Sequence, residues 1–434
     1  MEVTAQVERL FERRSFGIKP GLAAERCLLE SLDHPEQSVA AVHVAGTNGK
    51  GSVCAMLASI LTAAGLRTGL FTSPHLVCFN ERFRVDGVMI DDDSLKQLME
   101  RVEAAAESVD QAAEHAITFF ECCAAMAFEH FRAQGVQLAL LETGMGGRLD
   151  ATNVVDPALS IITRIDLDHT AYLGEDLASI AAEKAGIIKP GRPVVIGAMP
   201  PEARDVMIRT AAERGAPLRD AASSVGISVR EVGLDGQRVK ISSDSDSYPP
   251  LTLPLIGAHQ VENLATVVAA CEVLRDQVQL PLPDAALVAG LTATQWEGRL
   301  QILQRDPPLV VDGAHNPGAA RALVKSLRGV CRHQPVGLVL GMCADKNISA
   351  TLHELAVFRG PVWTVPLATA RGLPAADLKQ VALAAGLEAQ ACDRLPEALH
   401  AAMTWAAASG GVVCIAGSLF LAGEALAAWK EGAL

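Results

Sequence analysis

Short apolar runs alternate with alanine-rich helical patterns along most of this 434-residue chain, and that alternation limits the folds open to it. Residues 39–45, 66–71, 136–141, 159–165 and 193–196 read as strands, as do 309–311, 336–340, 362–365 and 412–416. Runs this short and this uniformly apolar suit strands buried on both faces, which need helices above and below. Candidate helices at 51–64, 119–133 and 319–327 lie between them. The pattern predicts an α/β chain built on parallel sheets. Residues 220–252 differ. There Val229, Val232, Val239 and Ile241 are interspersed with Asp, Ser and Gly, as in a small added β-meander. A chain of this length is expected to hold roughly two or three domains. The helical run before Trp296-Glu297-Gly298-Arg299 stops there, so the domains are placed at 1–296 and 297–434.

Polar motifs fall mostly just after the strands, where open α/β sheets bind ligands. The richest is His43-Val44-Ala45-Gly46-Thr47-Asn48-Gly49-Lys50-Gly51-Ser52-Val53. Strand, glycine loop, Lys, hydroxyl and helix together suit a phosphate: loop N–H groups face the anion, Lys50 adds charge, and the Ser52 hydroxyl can reach Mg²⁺. The loop is compressed. Only Thr47 and Asn48 separate Gly46 from Gly49, and Gly51 stands between Lys50 and Ser52. An ordinary glycine-rich turn is the competing reading of this segment.

Composition narrows the class further. The net charge of −13 argues against broad nucleic-acid binding or an anionic membrane surface, and leaves room for a local basic pocket. Half of the residues are hydrophobic but only 4% of the chain is aromatic, so Ala, Leu and Val must build the cores. The ten cysteines show no C-x-x-C and no metal-finger spacing, which fits reduced core residues of a cytosolic protein. The first residues are charged and lack an apolar signal core, and the apolar stretch 411–423 is too short to span a bilayer. A soluble cytoplasmic protein is expected.

Other strand ends carry chemistry of their own. Glu142 opens Glu142-Thr143-Gly144-Met145-Gly146-Gly147-Arg148-Leu149-Asp150-Ala151-Thr152-Asn153, and a carboxylate at a strand tip suits a Mg²⁺ ligand. His169, in Asp166-Leu167-Asp168-His169-Thr170, reads either as a metal or phosphate contact or as an ordinary loop histidine. By spacing alone, Glu183-Lys184 is a surface ion pair near a helix end that Pro190 stops. Asp312-Gly313-Ala314-His315 follows a β-branched strand, and Gly417-Ser418 follows another.

Taken in order, these motifs resemble the folylpolyglutamate synthase/dihydrofolate synthase family, a branch of the Mur ligase superfamily. The matching stretches are HVAGTNGKGSV (43–53), FTSPHL (71–76), FNERFRVDG (79–87), TFFE (118–121) and ETGMGGRLDATN (142–153). DHTAYLG (168–174), EKAGIIKPG (183–191), GAHQVENLATV (257–267), GRLQ (298–301), VDGAHNPGA (311–319), GMCADK (341–346) and GSLFLAGE (417–424) continue the series. No single stretch is decisive, but the ordered set is specific and covers nearly the whole chain. Glu297, where the family usually has Pro, and Cys343, where an apolar residue is typical, are mild departures.

The resemblance implies an N-terminal P-loop mononucleotide-binding domain with a small added β-sheet, and a smaller Rossmann-like C-terminal domain, with ATP and substrate meeting in the cleft between them. It implies an ATP-dependent amide ligase that joins L-glutamate to dihydropteroate and to folates through an acyl phosphate. ATP contacts would be Thr47, Asn48, Gly49, Lys50, Gly51, Ser52, Asn263, Arg299 and Asp312. Ser52, Ser73, Glu142, His169 and Lys184 would serve two Mg²⁺ ions, Lys184 as a carbamate, with room for a monovalent cation. Lys50, His169, Lys184 and His315 would be catalytic. Thr118, Phe119, Phe120, Glu121, Leu149, Asp150 and Ala151 would form the pteroate pocket, an aromatic stacking on the pterin and Asp150 hydrogen-bonding its nitrogens, with Phe16–Lys19 along its wall. His315 and Ser418 would hold glutamate. Arg148-Leu149, present here, tends to be absent from members that only extend folates, so both activities are expected. A monomer acting on small molecules, without nucleic acid or membrane, completes the expectation. The alternatives are a synthase limited to folate extension, a Mur ligase of peptidoglycan synthesis, for which Gly46 comes too early to leave room for a preceding nucleotide-sugar domain, and a silent ATP-binding protein.

Overall fold

The computed structural model describes residues 3–13, 21–112, 116–244, 246–331 and 334–432. Phe16–Lys19 lie outside them. The chain forms two compact units. The first comprises Met1–Ile227, Ile241–Pro249 and Glu262–Thr294; the second comprises Ser228–Lys240, Pro250–Val261 and Gln295–Leu434.

The first unit is built on an eight-stranded sheet of β1 (Ala40–Ala45), β2 (Thr68–Phe71), β3 (Phe83–Val85), β4 (Val88–Met89), β5 (Leu138–Glu142), β6 (Leu159–Ile162), β7 (Val194–Ile196) and β8 (Leu218–Asp220). Their spatial order is β4-β3-β2-β5-β1-β6-β7-β8. The pairs from β2 to β8 are parallel; β3 and β4 run antiparallel at one edge. The hairpin β3–β4 was not foreseen, although Asp86-Gly87 is a turn signal: both residues have positive φ, 52° and 81°, as a tight hairpin requires. From β1 the chain goes first to β2 and β5 on one side, then to β6 on the other. The crevice beyond the carboxyl end of β1 is therefore the switch point of the sheet.

β5 and β6 are buried along their whole length, as expected for strands covered on both faces. The helix Lys50–Ala63 covers one face with an almost continuous buried run from Gly51 to Leu61, and it packs against the helix Asp284–Ala293. On the other face Phe71, Phe83, Phe131, Leu95 and Met99 form an inaccessible core. The helix Phe119–Ala133 in that core starts on a capping box: the Thr118 hydroxyl accepts from Glu121 N, and the Glu121 carboxylate accepts from Thr118 N.

The small meander foreseen near 220–252 is a three-stranded sheet, β9 (Val225–Gly233), β10 (Gly236–Ser243) and β11 (Leu251–Leu253), ordered β11-β10-β9. The second unit holds a six-stranded sheet of β12 (Gln301–Arg305), β13 (Pro308–Val311), β14 (Val336–Leu340), β15 (Arg359–Thr364), β16 (Ala389–Ala391) and β17 (Val412–Ala416). Its order is β12-β13-β17-β14-β15-β16, and only β12 is antiparallel. Among the described residues no helix is long and apolar enough to cross a membrane.

One core position runs against its surroundings. Glu25, on the helix Ala23–Ser31, is fully buried, and neither carboxylate oxygen has a hydrogen-bond partner among the described residues. Burial pushes its pKa well above the ordinary carboxylate range, and Glu121, Asp150 and Glu36 push the same way. A raised folded pKa means that the unfolded chain ionises first as pH rises, so Glu25 withdraws stability from the ordinary carboxylate range upward. Glu25→Leu should therefore stabilise the fold at pH 8 by about 1–3 kcal/mol in urea denaturation. The gain should shrink as the pH is lowered toward 4, and a gain that does not depend on pH would contradict a buried carboxyl as its source.

Candidate active site

The phosphate-type loop is held from its neighbour β6. Gly46 has φ +155°, and a β-carbon there would overlap the Thr163 hydroxyl. That hydroxyl donates to Asn48 O (2.8 Å), while Thr47 N donates to Arg164 O (2.8 Å). The Thr47 hydroxyl donates to Asp166 O (3.0 Å), and Asn48 Nδ2 donates to the Asp166 carboxylate (3.1 Å). Gly49, at φ +93°, caps the helix that starts at Lys50, and its Cα hydrogens face Asn263 so closely that a β-carbon would overlap the Asn263 amide. Asn263 is thus brought to the loop. Thr163 was not foreseen: the predicted strand 159–165 ends at Ile162, because Thr163 and Arg164 turn to bind the loop.

Two lysines converge on one carbonyl. Lys50 Nζ donates to Gly46 O at 3.2 Å and to Thr47 O at 3.4 Å; Lys184 Nζ donates to the same Gly46 O at 2.9 Å. The surface-pair reading of Glu183-Lys184 fails here. Glu183 points outward to Arg148 (2.7 Å), whereas Lys184 is 4% exposed. Burial, reinforced by the charge of Lys50, lowers the Lys184 pKa to about 7, against the smaller opposing pull of Asp168 and Asp150. Half of such amines are neutral near pH 7. Glu142, buried at the end of β5, lies 3.9 Å from Lys50 Nζ and accepts from Ser73 N at 3.4 Å.

A Mg²⁺ ion suits this donor set in one respect. The buried Ser52 hydroxyl and the Glu142 carboxylate are hard oxygen donors, and Mg²⁺ is commonly held by one or two carboxylates with substrate phosphates and water. No group of three His, Cys, Asp or Glu among the described residues stands ready to hold a metal unaided. His169 belongs to no such cluster. It sits at φ 51°, with its ring 4.0 Å from Asp168 and 37% of its side chain exposed.

The residues assigned to a pteroate pocket lie around β2, β5 and the start of the helix Phe119–Ala133. The Phe120 ring lies over Gly144, leaving no room for a β-carbon, and 5.9 Å from Phe71. Phe119 joins Phe11, Phe79 and His75 in an aromatic cluster. Arg82, buried and unforeseen, lies 5.4 Å from both the Phe79 and Phe119 rings and donates to His75 Nδ1 (2.9 Å). Leu149 is exposed and Ala151 buried. Asp150 is engaged by its own loop. Its Oδ2 accepts from Gly144 N (2.8 Å) and Met145 N (2.9 Å), and its Oδ1 accepts from the Thr152 amide and hydroxyl. Those four donors fill the lone-pair positions of a carboxylate, so Asp150 shapes its loop.

A second cluster stands at strand ends of the second unit. Asp312, after β13, accepts from Leu300 N and Ala314 N, both 2.8 Å, and burial raises its pKa while Arg299 opposes the rise. His315 Nδ1 lies 2.8 Å from Gly313 O; a carbonyl only accepts, so the proton sits on Nδ1. Ser418, after β17, caps the helix Leu419–Lys430 through Phe420 N (3.1 Å), and Gly417 N donates to Ala314 O (2.8 Å).

Two family models match the chain: the Mur ligase middle domain over residues 44–271 and the Mur ligase glutamate ligase domain over 298–419. The dihydrofolate synthase/folylpolyglutamate synthase of Bacillus subtilis is 37% identical over 344 residues, covering 79% of this chain and 80% of that protein. The chain belongs to the folylpolyglutamate synthase/dihydrofolate synthase family of Mur ligases. Two solved structures of the family overlay on it nearly end to end. Mycobacterium tuberculosis folylpolyglutamate synthase, complexed with ADP and AMPPCP, has a TM-score of 0.90 at 30% identity and 98% coverage of each chain. Escherichia coli FolC, in complex with DHPP and ADP, has a TM-score of 0.88 at 30% identity, covering 100% of this chain and 99% of that one.

In this ligase the middle-domain match contains Lys50, Glu142, His169 and Lys184, and the glutamate-ligase match contains Arg299, Asp312, His315 and Ser418. The loop geometry makes one prediction independent of substrate. Gly46→Ala must place a β-carbon into the Thr163 hydroxyl at a φ that L-residues avoid, and it should destabilise the fold by about 2–4 kcal/mol in denaturant titration. Thr163→Ala combined with Gly46→Ala should recover only the steric part.

Proposed function

We propose that this chain uses ATP to join L-glutamate to dihydropteroate and to folates, and that it carries both activities. The observation that supports this reading most is the convergence of Lys50 and Lys184 on Gly46 O beside Glu142, in a chain of this family. A carboxylate oxygen of the pteroate attacks the γ-phosphorus and the bond to ADP breaks, giving an acyl phosphate. The amine of L-glutamate then attacks the acyl carbon, and phosphate leaves as the amide forms. Lys50 and the N–H groups of Thr47–Ser52 hold and neutralise the triphosphate. Ser52 and Glu142 would hold Mg²⁺, which would supply positive charge against the charge developing on the transferring phosphoryl group. Phe119 and Phe120 provide the aromatic surface for the pterin, with Thr118, Leu149 and Ala151 beside it. We assign glutamate to Ser418 and His315, whose Nδ1–H bond to Gly313 O leaves Nε2 as the accepting nitrogen for the proton of the attacking amine. Asp312, Arg299 and Asn263 are assigned to the nucleotide, the domains to 1–296 and 297–434, and the enzyme to the cytoplasm as a monomer.

ADP release that requires dihydropteroate and L-glutamate together would establish the reaction, and release indifferent to either would refute it. Lys50→Ala should lower kcat by on the order of 10²–10³ or more with its circular dichroism unchanged.

Lys184 is proposed to carry a carbamate. Its neutral amine attacks CO₂ and releases one proton, turning a cation beside Lys50 into an oxygen donor toward the metal. With the amine pKa at about 7, formation should weaken as pH falls below that value. ¹³C-bicarbonate should give a carbamate resonance in the wild type that Lys184→Met lacks; a spectrum without it at pH 8 counts against the modification.

A further inference from the structure

His43 lies on β1, three residues before the phosphate loop, and is fully buried. Its Nε2 is 2.8 Å from the Thr152 hydroxyl, and its Nδ1 has no hydrogen-bond partner among the described residues. The Thr152 hydroxyl in turn bonds Asp150 Oδ1. The direction of this chain follows from Asp150. Burial raises the Asp150 pKa, but three backbone N–H groups and the Thr152 hydroxyl point at its oxygens and oppose that rise, which favours the ionised, accept-only carboxylate. Thr152 must then give its single proton to Asp150 and accept the next one from His43. His43 is therefore the neutral Nε2–H tautomer, with the unpartnered Nδ1 as a bare lone pair. Burial, aided by Lys189, lowers its pKa to about 3, in keeping with a neutral ring.

We propose that His43 is a positioning residue for the pteroate pocket: through Thr152 it fixes Asp150, and through Asp150 the loop from Gly144 to Leu149 on which the Phe120 ring lies. This rests on the pteroate reading given above. Asp150 Oδ2 holds the first two amides after the β5 tip, Gly144 and Met145, so the course of the loop away from Glu142 depends on it. Losing the His43 donor leaves the Thr152 hydroxyl held by Asp150 alone, and the loop loses one of its anchors to β1.

The test uses full-length His43→Leu, Thr152→Val, the double variant and Thr152→Ser. Leu and Val nearly match the replaced side chains in size, and Leu also removes the orphaned Nδ1, so the melting temperature of His43→Leu should not fall. Each single variant should raise KM for dihydropteroate about tenfold and leave KM for ATP unchanged. The double variant should be no worse than the poorer single, because both break one chain. Thr152→Ser should behave as the wild type. An unchanged KM for dihydropteroate in His43→Leu, or additive losses in the double variant, would overturn the proposal. ¹⁵N-histidine NMR of the wild type separates this failure from failure of the substrate reading. A ring protonated on Nδ1, or charged at neutral pH, overturns the hydrogen-bond chain with the substrate untouched. Wild-type turnover indifferent to dihydropteroate overturns the substrate reading, and the pteroate role with it, whatever the tautomer.

Discussion

The carbonyl of Gly46 is where the first unit concentrates its charge. Two ammonium groups donate to it, from the first turn of one helix and the last turn of another, and one carboxylate stands 3.9 Å from the first of them. Two cations on a single carbonyl are unfavourable in a dry site unless an anion joins them or one gives up its proton. The lowered Lys184 pKa is the second response; a phosphate over the helix N-terminus would be the first. The Gly46 backbone makes this possible. Only its conformation, pressed against Thr163, turns the carbonyl toward both lysines while the chain starts the helix at Lys50.

Much of this frame was legible in the sequence. The buried parallel strands were, because a strand covered on both faces has a continuous apolar run, and their polar tips were, because a binding loop must follow the strand. The antiparallel edges β3, β4 and β12 were not, since strands as short as FRV and VM or as polar as QILQR lack that run. Lys184 illustrates a different limit. Residues adjacent in a helix point about 100° apart, so Glu183 faces water while Lys184 faces the loop, and the pair spacing that suggests a surface bridge says nothing about the second side chain. Asp150 shows a third. Its residue type suits a pterin contact, but which donors fill its lone pairs depends on how the loop closes. Arg82 and Thr163 lay within or beside legible motifs and were passed over because neither residue type, at its spacing, announces chemistry.

The second unit follows the same logic with different chemistry. Strand ends β13 and β17 bring Asp312, His315 and Ser418 to one side of its sheet, and Gly417 N ties the two loops together through Ala314 O. Each of these polar side chains also braces the backbone. Asp312 holds Leu300 and Ala314, His315 holds Gly313, and Ser418 caps a helix. Such bonds fix rotamers. They set the tautomer of His315 and the position of the Ser418 oxygen, as a preorganised site requires.

One strand joins the phosphate loop to the Asp150 loop in the first unit. β1 delivers Gly46 to the phosphate loop at its end, and three residues earlier it presents His43 to the Asp150 loop. It is paired along its length with β5, whose tip carries Glu142, and with β6, whose continuation Thr163 braces the phosphate loop. A strand hydrogen-bonded on both sides moves as a rigid body, so a displacement at either contact is carried to the other. With the pteroate against that loop as proposed, the distance between the phosphoryl group and the carboxylate that receives it would be referred to one rigid element. A reaction whose rate depends on sub-ångström alignment of those two groups gains most from that construction.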